Sequence, residues 1–176
     1  PFSQVNKIVE HAALTDLKKI GVFAPDTDYG QTVIKAYRAR ADELGLETVD
    51  IVRYPVNSSN ISPVIREFTR YDERVEKLNQ LIRPLQEELE KSPDNEELEA
   101  RIAELQSQDT AGEPPYDAVL LPVGGEQAKA IANLLSFYDL DPDDVVRLGT
   151  GLWDDPALAT EPNMEGGMFA ASSPST

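Results

Sequence analysis

Three short polar stretches carry the residues that could do chemistry in this chain. Each stretch follows an apolar run directly, and together they offer carboxylates, hydroxyls, aromatic rings and glycines. Their residues are Asp26, Thr27, Asp28 and Tyr29, then Gly124, Gly125 and Glu126, and finally Thr150, Gly151 and Trp153. Side chains of these types hold small polar ligands through hydrogen bonds and ring contacts. The stretches predict a binding site if the fold brings them together.

The apolar runs alternate with helical patterns, and this rhythm predicts an α/β fold. Predicted strands cover 19–24, 47–54, 118–122, 146–149 and 167–170. Predicted helices cover 2–14, 29–44, 126–137 and a segment that opens at Ser62-Pro63. Strands and helices that alternate in this way form a doubly wound parallel sheet, here of five strands. The carboxyl ends of such strands lie at one edge of the sheet, so the three polar stretches should meet there.

Residues 71–112 interrupt this rhythm with a charged helical pattern. Apolar residues recur in alternating steps of three and four, which predicts a coiled-coil seam. The seam residues are Val75, Leu78, Ile82, Leu85, Leu89, Leu98, Ile102 and Leu105. Ser92–Asn95 breaks the pattern, and Asp94 with Glu97 has the spacing of a capping box for a second helix.

The change in pattern predicts two parts, an α/β lobe over 1–70 and 113–176 and an inserted antiparallel helical hairpin over 71–112. Pro84 lies inside the first arm of the hairpin and should kink it. The hairpin holds 12 acidic and 5 basic residues, a net charge of −7. Such a segment is either a solvated arm or a surface on which a partner docks, and the pattern leaves both open.

The composition excludes several classes of function. The formal net charge of −16 repels phosphate backbones and anionic lipids, so we expect no nucleic-acid or membrane-surface partner. No apolar run approaches the ~20 residues that a transmembrane helix needs, so we expect no membrane span. The chain has no cysteine, which excludes disulfides and thiolate metal sites.

Catalytic motifs are sparse. His11 is the only histidine and lies on the first predicted helix, away from the strand ends, so a nucleophilic triad lacks its base. Asp26 with Asp28, and Asp154 with Asp155, could exchange protons, but carboxylates beside helix starts more often cap them. We therefore expect no enzyme, no cofactor and no metal ion.

The sequence resembles a known family in these same stretches. The strand that ends in APDTDYG, the strand that closes in YP and the strand DAVLLP resemble the second lobe of type I periplasmic solute-binding proteins, the relatives of the Leu/Ile/Val-binding proteins. A closer resemblance is to the envelope lipoproteins known as penicillin-binding-protein activators. It is carried by GG at 124–125, FYD at 137–139, LGTGLWDDP at 148–156 and GGMFAA at 166–171. The resemblance covers nearly all of the chain outside 71–112.

This resemblance implies that the chain is one lobe of a two-lobed protein, with the second lobe outside the chain. Ligand would be held in the cleft between the lobes, which closes on it by a hinge motion. The implied location is the periplasm or cell envelope, in a lipid-anchored or secreted protein. Tyr29 matches the aromatic residue that faces the cleft in amino-acid-binding members.

Two departures from those members bear on the identity of the ligand. They carry an aromatic residue near 122–125 and an ammonium-binding glutamate near 150–151, and this chain has neither. Asp26, Asp28 or Glu126 would have to supply the missing charge, since a charge-assisted hydrogen bond is typically worth about 1.5–3 kcal/mol.

Two functions of different class follow. In the first, the lobe belongs to an ABC-transporter receptor for an amino-acid-like or other small polar ligand. In the alternative, it is a module that activates a penicillin-binding peptidoglycan synthase through protein–protein contacts. The polar edge with Tyr29 and Trp153 favours the receptor, and the hairpin at 71–112 favours the interaction module.

Overall fold

The computed structural model describes residues 2–57, 60–153 and 161–169, without the side chains of Phe2 and Trp153. Strands and helices alternate along these residues, as the sequence predicted. The strands are β1 (Lys19–Pro25), β2 (Glu47–Tyr54), β3 (Ala118–Leu120), β4 (Val146–Gly149) and β5 (Met168–Phe169). The helices are α1 (Phe2–Leu14), α2 (Asp28–Leu44), α3 (Ser62–Phe68), α4 (Tyr71–Lys91), α5 (Glu96–Gln106) and α6 (Gly125–Phe137). None of these helices is long and apolar enough to cross a membrane.

The five strands form one parallel sheet in the order β2-β1-β3-β4-β5. The chain moves outward from β1 to β2, and then returns past β1 to place β3 on the other side. The direction of winding therefore reverses between β1 and β3. In doubly wound sheets, ligands bind outside the carboxyl ends of the strands at such a switch point. The predicted five-stranded doubly wound sheet is confirmed.

Apolar layers cover both faces of the sheet. Because successive side chains of a strand point to opposite faces, Val22 and Leu120 pack into the layer of α1 and α2. Their neighbours Phe23 and Val119 pack into the layer of α3 and α6. Strands buried on both faces need the continuous apolar runs that the sequence shows. The two layers fix the carboxyl edge of the sheet, where the polar stretches begin.

Helices α4 and α5 pack against each other in the connection between β2 and β3. Their shared cluster consists of Leu78, Ile82, Leu98, Ile102, Leu105 and Ala111, with Leu85 and Leu89 partly buried against it. Val75 lies outside this cluster. Helix α4 continues through Pro84, which is exposed on its surface. The division into a lobe and an inserted coiled-coil hairpin stays a prediction.

Strand β3 is shorter than expected. It ends at Leu120 rather than at Pro122, because the chain turns immediately after it. The Val123 N–H donates to the carbonyl oxygen of Leu121 at 2.9 Å, which closes a tight turn. Strand β5 covers Met168–Phe169 of the predicted 167–170, and residue 170 lies outside the described residues.

The cap of α5 also differs from the prediction. Asn95, rather than Asp94, precedes the helix, and its Oδ1 accepts the Leu98 N–H at 3.1 Å. The reason lies in the preceding turn, where the Asn95 N–H donates to the carbonyl oxygen of Ser92 at 3.0 Å. This turn places Asp94 one residue too early to reach the orphan N–H groups of the helix.

Candidate functional site

A hydroxyl pair joins the loops that follow β1 and β4. The Tyr29 Oη and Thr150 Oγ1 atoms lie 2.7 Å apart, and either hydroxyl can donate. Thr150 is fully buried, whereas Tyr29 is partly buried and packs against the layer of α1 and α2. Since β3 lies between β1 and β4 in the sheet, the pair bridges the carboxyl end of β3. It therefore lies beside the switch point.

The start of α2 holds Tyr29 in place. Thr27 is the N-cap, and its Oγ1 accepts the Gly30 N–H at 3.1 Å. A Cβ at Gly30 would lie 2.0 Å from the carbonyl oxygen of Pro25, so only glycine lets α2 begin this close to the end of β1. Thr27 thus has a structural role in addition to its place at the edge.

Glycine also brings the loop after β3 against the loop after β4. A Cβ at Gly124 would lie 2.5 Å from the carbonyl oxygen of Leu152. Gly125, the first residue of α6, has a φ of 60°, in the left-handed region that favours glycine. Close approach and a turn therefore account for this glycine pair. The structure brings all three polar stretches together at one edge.

Exposed carboxylates lie on the loops of this edge. Asp26 and Asp28 flank the cap of α2, and Glu126 lies in the first turn of α6. Asp26 Oδ1 accepts a hydrogen bond from Gln31 Nε2 at 3.4 Å, and Glu126 Oε1 lies 3.6 Å from Lys129 Nζ. Carboxylates are favourable here because helix N-termini carry partial positive charge. The edge thus offers a ligand negative charge beside the partly buried Tyr29 hydroxyl, which the fully buried Thr150 holds in place.

A buried arginine braces the strand that leads to Thr150. Arg147 on β4 is fully buried, and its guanidinium donates to the carbonyl oxygens of Leu140 at 2.5 Å and Val145 at 2.8 Å. Burial lowers the pKa of Arg147 to about 10, and nearby Asp141 partly opposes this shift. The arginine ties the loop between α6 and β4 to the sheet, so Thr150 follows a rigid strand.

The fold of the chain is similar to that of several solved structures. No protein-family model matches the chain, and the search of curated proteins found no match. Among solved structures, a solute-binding protein of an ABC transporter from Rhodopseudomonas palustris HaA2, in complex with p-hydroxybenzoic acid, is 15% identical, with a TM-score of 0.55. The match covers 95% of this chain and 34% of that one.

Two further solved structures match in the same way. The periplasmic ligand-binding protein of a branched-chain amino acid ABC transporter from Burkholderia xenovorans LB400 is 14% identical over 84% of this chain and 28% of its own, with a TM-score of 0.51. A substrate-binding periplasmic protein from Ralstonia solanacearum is 14% identical over 93% of this chain and 33% of its own, with a TM-score of 0.53.

This chain has the fold of one lobe of a type I solute-binding protein. It spans between 28% and 34% of the length of these three neighbours. The fold that the resemblance of APDTDYG, YP and DAVLLP implied is thus confirmed. In the lobe, the three polar stretches lie at the carboxyl edge of the sheet.

Helix α1 contributes a residue to this edge that the sequence did not single out. Gln4 Oε1 accepts the Gly151 N–H at 3.1 Å, which fastens the loop after β4 to the helix. A single glutamine in an amphipathic helix carries no motif, and its partner lies far along the chain. Only the fold of the lobe reveals the contact.

Other residues considered from the sequence lie elsewhere. His11 lines a shallow cavity between α1 and β5, together with Ile8 and Phe169. The Trp153 side chain, and Asp154 with its neighbour at 155, lie outside the described part of the chain. Within that part, no group of three or more histidine, aspartate or glutamate side chains is arranged to hold a metal ion.

Proposed function

We propose that this chain is one lobe of a receptor that binds a small polar molecule between two lobes, as in the solute-binding proteins of ABC transporters. The observation that carries the proposal is the Tyr29–Thr150 hydroxyl pair beside the switch point of a fold shared with such receptors. The loops after β1, β3 and β4 form one wall of the cleft, and the second lobe supplies the other. This function places the protein in the periplasm or cell envelope.

The charge of the edge favours a ligand that carries an ammonium group. Asp26, Asp28 and Glu126 are exposed there, and the three polar stretches contain no lysine or arginine. Lys129, one turn into α6, lies beside Glu126. One of the matched receptors is a complex with p-hydroxybenzoic acid, which carries a carboxylate. On this lobe a carboxylate would face like charge, whereas an ammonium would gain charge-assisted hydrogen bonds of about 1.5–3 kcal/mol.

A thermal-shift screen of the full-length two-lobed protein tests the proposal. The panel contains amino acids, amines, short peptides, sugars, hydroxybenzoates and muropeptides. A ligand at about a hundred times its Kd should stabilise the native state by about 2.7 kcal/mol and raise the midpoint clearly. We expect amino acids or amines to give this shift and hydroxybenzoates to give none.

The chain offers a matched control for the hydroxyl pair. Tyr37 Oη and Thr48 Oγ1 lie 2.9 Å apart and form a second tyrosine–threonine pair, at the amino end of β2 and therefore at the opposite edge of the sheet. Tyr29→Phe should weaken ligand binding, whereas Tyr37→Phe should leave it unchanged. A flat screen, or equal losses in the two variants, would count against the receptor.

A second candidate function is regulation of an envelope enzyme, such as a penicillin-binding peptidoglycan synthase, through protein contacts. The observation that favours it is the pair of helices α4 and α5, which a transport receptor does not obviously need. In this case the helices dock the partner, and the edge of the sheet needs no ligand. A flat ligand screen together with specific binding through α4 and α5 would support this function over the first.

A further inference from the structure

A continuous groove runs along the pair of helices α4 and α5. Near the tip it is lined by Leu89, Glu90, Pro93, Glu99, Ile102 and Ala103. Nearer the sheet it is lined by Leu78, Asn79, Ile82 and Arg83. Gln86 and Gln106 line both parts, which makes them one groove. From position 78 to position 93 it extends about 22 Å, since a helix rises about 1.5 Å per residue.

The groove is the place where a third helix would pack. Two antiparallel helices bury only the seam between them, and Leu89, which lines the groove, is accordingly only partly buried. A third helix in the groove would complete a small bundle and cover this side chain. No helix of the described chain fills this place, because α1, α2, α3 and α6 all pack against the sheet.

A buried arginine in the first turn of α4 attaches the pair of helices to the loop that follows α6. The Arg74 guanidinium donates to the carbonyl oxygens of Tyr138 at 3.2 Å and Asp139 at 2.7 Å. Thr110, in the loop that follows α5, donates a hydrogen bond to Asp139 Oδ2. A surface that is already ordered loses less entropy when a partner binds.

The charge around the groove selects the partner. Residues 78–106, the span that lines the groove, hold eight acidic and three basic residues, so their net charge is −5. Two of the three basic residues are paired, Arg83 with Glu76 at 3.4 Å and Arg101 with Glu104 at 3.2 Å. A second copy of the chain would bring the same negative charge, and like charges that face each other disfavour association. A cationic partner complements the surface.

We propose that this groove docks a basic amphipathic helix of a partner protein. The apolar face of that helix covers Leu89 and Ile102, and its lysines and arginines lie against Glu90 and Glu99. The inference gives the second function proposed above its surface and its class of partner. The docking proposal does not depend on a ligand at the edge of the sheet. If the peptide fails to bind the groove, the proposed ligand site is unaffected, and if the ligand screen is flat, the docking proposal is unaffected.

A synthetic helix tests this docking. The probe is a fluorescein-labelled, amidated Leu/Lys peptide of about 15 residues, the length of the groove, with leucines at helical spacing along one face. A peptide of the same composition in scrambled order has the same charge but no apolar face. Fluorescence anisotropy with the 176-residue chain should show that the amphipathic peptide binds at least about tenfold tighter than the scrambled one, equivalent to about 1.4 kcal/mol.

Two alanines of α5 provide matched variants. Ala103 lines the groove and Ala100 does not, and both are exposed. Ala103→Lys should weaken binding of the amphipathic peptide about tenfold, or about 1.4 kcal/mol, whereas Ala100→Lys makes the same charge change and should matter little. Ala103→Gln fills the same place without charge and should weaken binding in the same direction. Circular dichroism confirms that each variant keeps its helices.

Three outcomes would overturn the proposal. Equal binding of the two peptides would show only attraction between opposite charges. Equal effects of Ala103→Lys and Ala100→Lys would place the peptide outside the groove. Sedimentation equilibrium that shows a dimer broken by Ala103→Lys would make a second copy of the chain the occupant.

Discussion

Gly124 lies so close to Leu152 that a Cβ at position 124 would be 2.5 Å from the Leu152 carbonyl oxygen. This contact holds the loop after β3 against the loop after β4. Gly124→Ala should push these loops apart and lower the free energy of unfolding by about 1–3 kcal/mol, the usual range for overpacking. Urea unfolding measures the change.

A substitution at Gly125 distinguishes the effect of crowding from the effect of backbone strain. Gly125 has a φ of 60°, but a Cβ there would meet open space. Asparagine tolerates the left-handed region, so Gly125→Asn should cost less than Gly124→Ala. If Gly124→Ala is as stable as the parent chain, the two loops separate easily and the edge is not rigid.

The sequence predicted the edge but not the bonds that hold it. Apolar runs around Val22 and Val119 mark β1 and β3, and turn residues after them mark the loops, so the position of the edge follows from local patterns. The hydrogen bond of Tyr29 with Thr150 joins residues 121 positions apart. No periodic pattern records such a contact, because it depends on which strands become neighbours in the sheet.

The cap of α5 shows a second limit of local patterns. Asp94 and Asn95 are both good N-cap residues, and the turn after Ser92 decides between them. Asn95→Ala removes the acceptor of the Leu98 N–H and should lower stability by about 1 kcal/mol. Asp94→Ala should change little. Thermal melts of the two variants, followed by circular dichroism, compare them directly, and a larger loss for Asp94→Ala would contradict the observed cap.

Asp141 gives the lobe a pH dependence of its own. Partial desolvation, together with the negative charges of Asp139 and Asp144, raises the pKa of Asp141 above its usual value, although Arg147 opposes the shift. The folded state therefore binds this proton more tightly than the unfolded state, and ionisation costs stability as the pH rises through that pKa. Asp141→Asn should raise the melting temperature at pH 7.

The pH profile provides the check on this prediction. Below about pH 3.9, the usual value for aspartate, both states are protonated, and the advantage of Asp141→Asn should disappear. Asp143 makes a smaller contribution to the same shift than Asp139 and Asp144, so Asp143→Asn should raise the melting temperature by less than Asp141→Asn. An advantage of Asp141→Asn that persists unchanged at low pH would show that the gain does not come from ionisation.

Arg74 should determine how firmly α4 and α5 are attached. Its side chain is buried, which lowers its pKa, and it donates to the carbonyl oxygens of Tyr138 and Asp139. Arg74→Met leaves these oxygens without the donor, at a cost of about 1–3 kcal/mol for each buried group left unpaired. Hydrogen exchange should become faster in α4 and α5 than in β1.

Arg101→Met is the matched control for this prediction. Arg101 lies on α5 in an exposed ion pair with Glu104, and such pairs contribute little. Its loss should leave exchange in both helices nearly unchanged. Uniform faster exchange across the sheet after Arg74→Met would show that the arginine supports the whole lobe rather than the attachment of the two helices.

The attachment point of α4 and α5 also shapes how the lobe folds. The Ala111 N–H donates to the carbonyl oxygen of Arg74 at 3.1 Å, so the two ends of the segment 75–110 lie next to each other. Formation of α4 and α5 is local and fast, so we expect it to bring the two ends together and to reduce the entropy cost of pairing β3 with β1. For the sheet, residues 75–110 are therefore equivalent to a short turn. The length of this segment could change without any shift in the pairing of β1 with β3.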